Sequence, residues 1–181
     1  MKLATILRDS VLPSNLEWFI ENGTLLGAYR NGKFISHDDD FDIGLIITTL
    51  DDIERLQSTI QEKLPSPYKV RRISSYADKL EVYDPSHGVY TLQGYDGADF
   101  HYVTVDVQFH WLESDRACQP LYRRGNQYRF KIDDTLPTSS IVLEGEEFPC
   151  PKNPEKLLKE RYGSIKEGAV YDTVLGKYVE S

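Results

Sequence analysis

The sequence predicts an α+β fold, a mixed sheet flanked by helices in a single domain. Three observations carry this. Two segments, Phe41 to Thr48 and Val103 to Trp111, place apolar residues at every second position, the period of a strand. A third, Asp52 to Lys63, spaces Ile53, Leu56 and Ile60 as one narrow stripe of a helix. The chain has 181 residues, enough for about one core with a sheet and several helices.

In chain order, Lys2 to Leu12 reads as a short amphipathic helix that Pro13 stops, and Leu16 to Ile20 as a helix end or a short strand. Thr24 to Arg30 forms one or two helical turns, ended by Asn31-Gly32. In the strand that follows, Ile43, Leu45 and Ile47 alternate with Asp42, Gly44 and Ile46. Asp51 and Asp52 suit the positive end of the next helix, which Pro65 and Pro67 close. Tyr68 to Ser74 and Lys79 to Tyr83 read as strands. On the long strand, Val103, Val105, Val107 and Phe109 take one face and Thr104, Asp106, Gln108 and His110 the other. Gln127 to Ile132 and Ile141 to Leu143 are further strands. Asn153-Pro154 opens a helix through Tyr162, ended at Gly163. The Tyr-rich stretch from Tyr76 to Tyr102 reads as a flap or a long hairpin loop.

Composition excludes several functions. A net charge of -8 argues against a nucleic-acid or anionic-membrane surface, which needs clustered Lys and Arg, but not against a small phosphorylated ligand. Cys118 and Cys150 make neither a disulfide framework nor a zinc pattern. Arg8, Asp9 and Pro13 break the apolar start, so no signal peptide or membrane span is expected there, and a cytoplasmic location is.

The chemistry concentrates between Gly23 and Gly44. Asp38, Asp39, Asp40 and Asp42 fall within five positions, immediately before an apolar strand. Like charges this close repel unless a cation sits among them. Asp40 and Asp42 lie two apart, so both project from one face, an arrangement of hard oxygen ligands that suits Mg²⁺ shared with phosphates. An acidic run is equally the mark of a solvated turn. Its continuity with FDIGLII pins the last two carboxylates to a rigid element. Asp106 stands among β-branched residues, where a mid-strand Asp has a partner, a task or plain solvent before it. Gly23 and Thr24 could offer backbone N–H groups to a phosphate, or simply start a helix. Arg30 and Lys33 could clamp a phosphate, as could Arg71, Arg72, Arg123, Arg124 or Arg129; His37 could shuttle a proton or be an exposed loop residue. Trp18 and Trp111 are assigned to the core.

The stretch GTLLGAYRNGKFISHDDDFDIGL resembles the signature of the LicD family, which includes the fukutin-related proteins, and EGEEFPCPKNPEKLLKERYG resembles that family's closing motif. The resemblance spans Gly23 to Gly163, with Ser36-His37 standing where Pro-Trp is common. It implies a nucleotidyltransferase-like sheet in which Gly27-Ala28 is the first element, Asp40 and Asp42 the second and Asp106 the third. It implies Asp40, Asp42 and Asp106 as metal ligands and catalytic residues for Mg²⁺ or Mn²⁺, with Gly23, Thr24, Gly27 and Arg30 toward the substrate. The implied reaction transfers a phosphocholine- or ribitol-phosphate-like group from a CDP-linked donor to a glycan or other hydroxyl acceptor. Asp106 is a ligand, a base or both. A nucleotidyl transferase and a catalytically silent binding module are the alternatives.

Overall fold

The computed structural model describes residues 1–36, 38, 40–74, 78–95, 98–112, 117–120 and 130–180. Helix α1 (Lys2–Ile6) runs into a π-helical turn, Leu7–Val11, that buries Ala4, Leu7 and Val11 before Pro13 ends it. Strand β1 (Trp18–Ile20) leads directly into α2 (Asn22–Asn31), which begins two residues ahead of Thr24. Gly32 ends α2 in the left-handed region at φ 70, its N–H donating to the Ala28 carbonyl at 3.1 Å. Then come β2 (Asp40–Ile47), α3 (Asp51–Lys63), β3 (Lys69–Ile73), β4 (Lys79–Tyr95) and β5 (Ala98–Leu112). After these come β6 (Ala117–Pro120), β7 (Phe130–Lys131), α4 (Ile132–Thr135), β8 (Ser139–Leu143), β9 (Glu146–Cys150), α5 (Pro154–Tyr162), β10 (Val170–Asp172) and β11 (Lys177–Val179).

The main sheet runs β1-β2-β5-β4-β3, with β6 joined to β5 and β7 to β6. Among the described residues of this sheet β2 and β5 are parallel and the other pairings antiparallel, so the sheet is mixed as the sequence predicts. The parallel pair needs a long crossover, and α3, β3 and β4 supply it. One face of β2 and β5 carries Phe41, Ile43, Leu45, Val105, Val107 and Phe109 into a core shared with Ile53, Leu56 and Ile60 of α3. Burying each such side chain stabilises the fold by about 1.5–3 kcal/mol. That face being committed to the core, the other face divides between the polar residues Asp40, Asp42, Thr104, Asp106 and Gln108 and a second apolar cluster of Phe19, Phe130 and Leu157 on which Ile46 packs.

Three expectations change. The Tyr-rich segment keeps the hairpin of the two readings, but its arms are strand rather than loop where it is described: β4 and β5 extend into it, pairing Gly88 with Tyr102 and Tyr95 with Ala98 through shifts of register. The strand expected to end at Ile132 is Phe130–Lys131 among the described residues, and Ile132 opens α4, where Asp133 and Asp134 favour a first helical turn. Glu146 to Cys150, read only as motif, is a strand that pairs with β8 across Glu144-Gly145, both at positive φ as a tight hairpin turn requires. Residues 127–129, the arginines Arg123 and Arg124, and His37 lie outside the described residues.

Candidate active site

The register of the parallel pair builds the site. Asp42 of β2 lies opposite Asp106 of β5, and Asp40 opposite Thr104. Because β2 alternates, Asp40 and Asp42 share the face turned away from the core, and Asp106 joins them there. Ligand oxygens of the three carboxylates all lie within 4.8 Å of one another. Asp42 is 4% exposed and Asp106 2%, while Asp40 is half-buried at the mouth.

Helix α2 is stitched to this strand. The Asp42 N–H donates to Thr24 Oγ1 at 2.9 Å, and the Glu21 N–H to the Asp42 carbonyl at 3.1 Å. Thr24 is thus fully buried and its hydroxyl supports the backbone of Asp42. The helix start, Asn22 and Gly23, opens onto the carboxylates. A Cβ on Gly23 would run into Asp38 Oδ2, so a bare Cα lets that carboxylate lie against the helix start. Gly27 has a different use. A Cβ there would run into the Lys33 carbonyl, and the residue packs α2 against the following loop rather than lining the pocket. Arg30 is also drawn elsewhere, donating to the carbonyls of Ile165 at 2.7 Å and Lys166 at 2.9 Å. The structure therefore brings Gly23 to the carboxylates, sets Thr24 behind them, and keeps Gly27 and Arg30 away.

The pocket has a volume of about 340 Å³, and its walls include Lys79 of β4, Gln108 of β5, and Arg161 and Tyr162 of α5. Gln108 Nε2 donates to Asp42 Oδ1 at 2.7 Å, and Thr104 Oγ1 to Asp106 Oδ1 at 2.6 Å. The Lys79 ammonium donates to Asp106 Oδ2. Arg71 pairs with Glu81 at 2.6 Å and Arg72 with Asp78 at 2.7 Å, which directs both arginines to neighbouring carboxylates. Behind Asp42, Glu21 Oε2 and His110 Nε2 meet at 2.7 Å in full burial.

Sequence reasoning placed Thr104 and Gln108 on the polar face without assigning them to the site. It missed Lys79 and Glu81, and it quoted Arg161 and Tyr162 within the closing motif but gave them no role. The motif's terminal Arg-Tyr-Gly was the available signal.

The electrostatics are those of a site short of positive charge. Burial, followed by the charges of Asp40, Asp106 and Glu21, holds the Asp42 carboxyl well above the usual range, against the Gln108 donor. Burial pushes Asp106 up to about 6 although Lys79 opposes it. Tyr162 is pushed up to about 12, chiefly by burial. Three hard oxygen donors from buried, crowded carboxylates fit a divalent cation such as Mg²⁺ or Mn²⁺.

A mixed sheet with an Asp-x-Asp strand, a third Asp on its parallel neighbour and a helix start beside them is a nucleotidyltransferase-type arrangement. The chain belongs to the LicD/FKTN/FKRP family, whose nucleotidyltransferase-domain model matches residues 15–153. That membership makes it a transferase. Among solved structures it is similar to a lincosamide antibiotic adenylyltransferase, LnuA, in its lincomycin-bound crystal form. Identity is 15%, 87% of this chain and 80% of that one are covered, and the TM-score is 0.46. No curated protein matches the chain in sequence. No helix among the described residues is long and apolar enough to cross a membrane.

Proposed function

We propose that this transferase moves a phospho-alcohol, phosphocholine- or ribitol-phosphate-like, from a CDP-linked donor to a hydroxyl of a glycan or other acceptor, releasing CMP. The observation that carries the reading is the pair of buried carboxylates, Asp42 and Asp106, face to face on parallel strands with Asp40 beside them. The CDP-linked donor is what membership of the LicD family suggests.

Asp40 and Asp42 would hold a divalent cation, and Asp106 would join them as a ligand or take the acceptor proton. When bound, a divalent ion neutralises phosphate oxygens and polarises the phosphorus under attack. Asn22 and Gly23 at the start of α2 turn their N–H groups toward the donor's phosphates. The acceptor hydroxyl attacks the phosphorus distal to the cytidine. Its oxygen forms the new P–O bond while the bond to the bridging oxygen breaks, and CMP departs on the opposite side. The hydroxyl proton passes to a carboxylate, and Asp106, beside Asp42 on the neighbouring strand, is the candidate acceptor. Gln108 keeps Asp42 oriented throughout by its donor to Oδ1.

The test is incubation with a panel of CDP-alcohols and Mg²⁺ or Mn²⁺, with CMP as the readout. CMP release that Asp40→Asn abolishes supports the reading. Release of pyrophosphate from a nucleoside triphosphate, with the nucleotide appearing on the acceptor, would replace it with nucleotidyl transfer at the same aspartates. Neither product, together with no metal-dependent donor binding, would leave a silent binding module.

A further inference from the structure

Asp106 accepts on both of its oxygens, from Thr104 at Oδ1 and from Lys79 at Oδ2. Lys79 and Glu81 lie two apart on β4 and so share a face, in register with Gln108 and Asp106 of β5. The Lys79 ammonium bridges the two strands, bonded to Asp106 Oδ2 and 3.0 Å from Glu81 Oε1. Glu81 is anchored from its other side by Arg71 of β3, whose Nε and guanidinium NH₂ reach Oε2 at 2.7 Å and 2.6 Å. Lys79 is 6% exposed, Glu81 4% and Asp106 2%. An ammonium this deep is almost never found unless paired, and a pair of apolar side chains would serve stability at least as well. Its place in the molecule is what distinguishes it. Lys79 faces the same pocket as Asp40, Asp42 and Asp106.

Phosphoryl-transfer sites built on carboxylates frequently hold two divalent ions about 3.5–4 Å apart, which neutralise the attacking and leaving oxygens. A second ion here would need the outer oxygen of Asp106 together with Glu81, and those are the two groups the ammonium occupies. In the donor-free site one divalent ion and one ammonium match the charge of Asp40, Asp42 and Asp106. We propose that Lys79 is the second cation of this site: one divalent ion sits on the Asp40–Asp42 side, and the Lys79 ammonium takes the place of the other. From there it fixes Asp106 and faces a non-bridging oxygen of the donor's diphosphate. Arg71 acts through Glu81, which keeps the ammonium over Asp106 instead of free to swing into solvent. The inference rests on the reading that Asp40 and Asp42 bind a divalent ion, and goes beyond it in fixing how many ions the site takes.

The experiment is titration with Mn²⁺, followed by the electron paramagnetic resonance of free Mn²⁺ and by calorimetry, with and without CDP. Wild type is expected to bind one Mn²⁺ per chain in both conditions. Lys79→Met, which keeps length and removes charge, is expected to bind two, because Asp106 and Glu81 lose their shared cation. Lys79→Arg is expected to stay at one. A merely structural lysine would leave the stoichiometry of a folded Lys79→Met at one, and that result overturns the proposal. Two Mn²⁺ in wild type also overturn it while the metal assignment of Asp40 and Asp42 stands. No Mn²⁺ in wild type overturns both. Should Lys79→Met fail to fold, wild type with CDP decides: one ion supports the proposal, two defeat it.

Discussion

Replacing Asp106 with Asn isolates the strain of a buried charge, because Asn copies the shape of the protonated carboxyl and does not titrate. In the fold Asp106 keeps its proton up to about 6, against an ordinary value of 3.8, with burial the largest cause, Lys79 opposing and Glu81 adding to it. The folded state thus holds the proton more tightly than the unfolded chain does. Below about pH 3 both states are largely protonated and the group is nearly silent. As pH rises toward 6 the unfolded chain ionises first, and the folded state loses stability; above that the loss is complete. A gap of about 2 pKa units at about 1.4 kcal/mol each amounts to about 3 kcal/mol.

In EDTA, the stability of Asp106→Asn relative to wild type should therefore grow by about 2–3 kcal/mol between about pH 4 and about pH 7.5. Comparing the two proteins cancels the groups away from the site; Asp42, which the Asp106 charge raises in wild type, is relieved in the variant and adds in the same direction. At about 2–4 °C per kcal/mol for a domain of this size, the melting points should separate by roughly 4–12 °C across that range. Urea unfolding at each pH measures the free energy directly. Mn²⁺ added at the higher pH should reverse the order, since wild type keeps all three ligands. A difference that does not change with pH, or that grows in favour of wild type, would refute the reasoning. The fold itself would then already compensate the carboxylate, and no cation would be called for.

Two smaller perturbations separate support from contact. Thr24→Val removes the acceptor of the buried Asp42 N–H, and an orphaned buried amide should destabilise the fold by about 1–3 kcal/mol in chemical denaturation. Arg30→Ala frees the carbonyls of Ile165 and Lys166, so proteolysis should reach the segment after α5 faster while Mn²⁺-dependent CDP affinity stays within roughly twofold of wild type. A larger loss of affinity would return Arg30 to the phosphate site.

Much of the site is local in origin. Asp40 and Asp42 share a face because strands alternate with period two, and Phe41, Ile43 and Leu45 commit the opposite face to the core. The same logic put Asp106 on the polar face of its strand and closed α2 at Gly32. The helix of Asp52 to Lys63 and the strands around the carboxylates were equally legible, as each owes its form to neighbours a few residues away. What β2 would lie beside was not. Asp106 meets Asp42 because the crossover through α3, β3 and β4 returns the chain parallel to β2 at one particular register. A shift of one residue would have turned Asp106 to the other face.

The partners of the charged groups were decided later still. Alone in sequence, Lys79 opens a strand, Arg30 flanks an acidic loop and Arg161 ends a motif. In the fold, Lys79 reaches Asp106 across one strand, Arg30 reaches carbonyls 135 and 136 residues away, and Arg161 faces the carboxylates from α5. Local sequence determines which face a side chain takes, since alternation and helical period need only a few bonds of backbone. Whether that side chain binds phosphate, braces a carboxylate or ties down a distant segment depends on groups within about 3 Å of its tip. Only the packed tertiary structure brings those groups there.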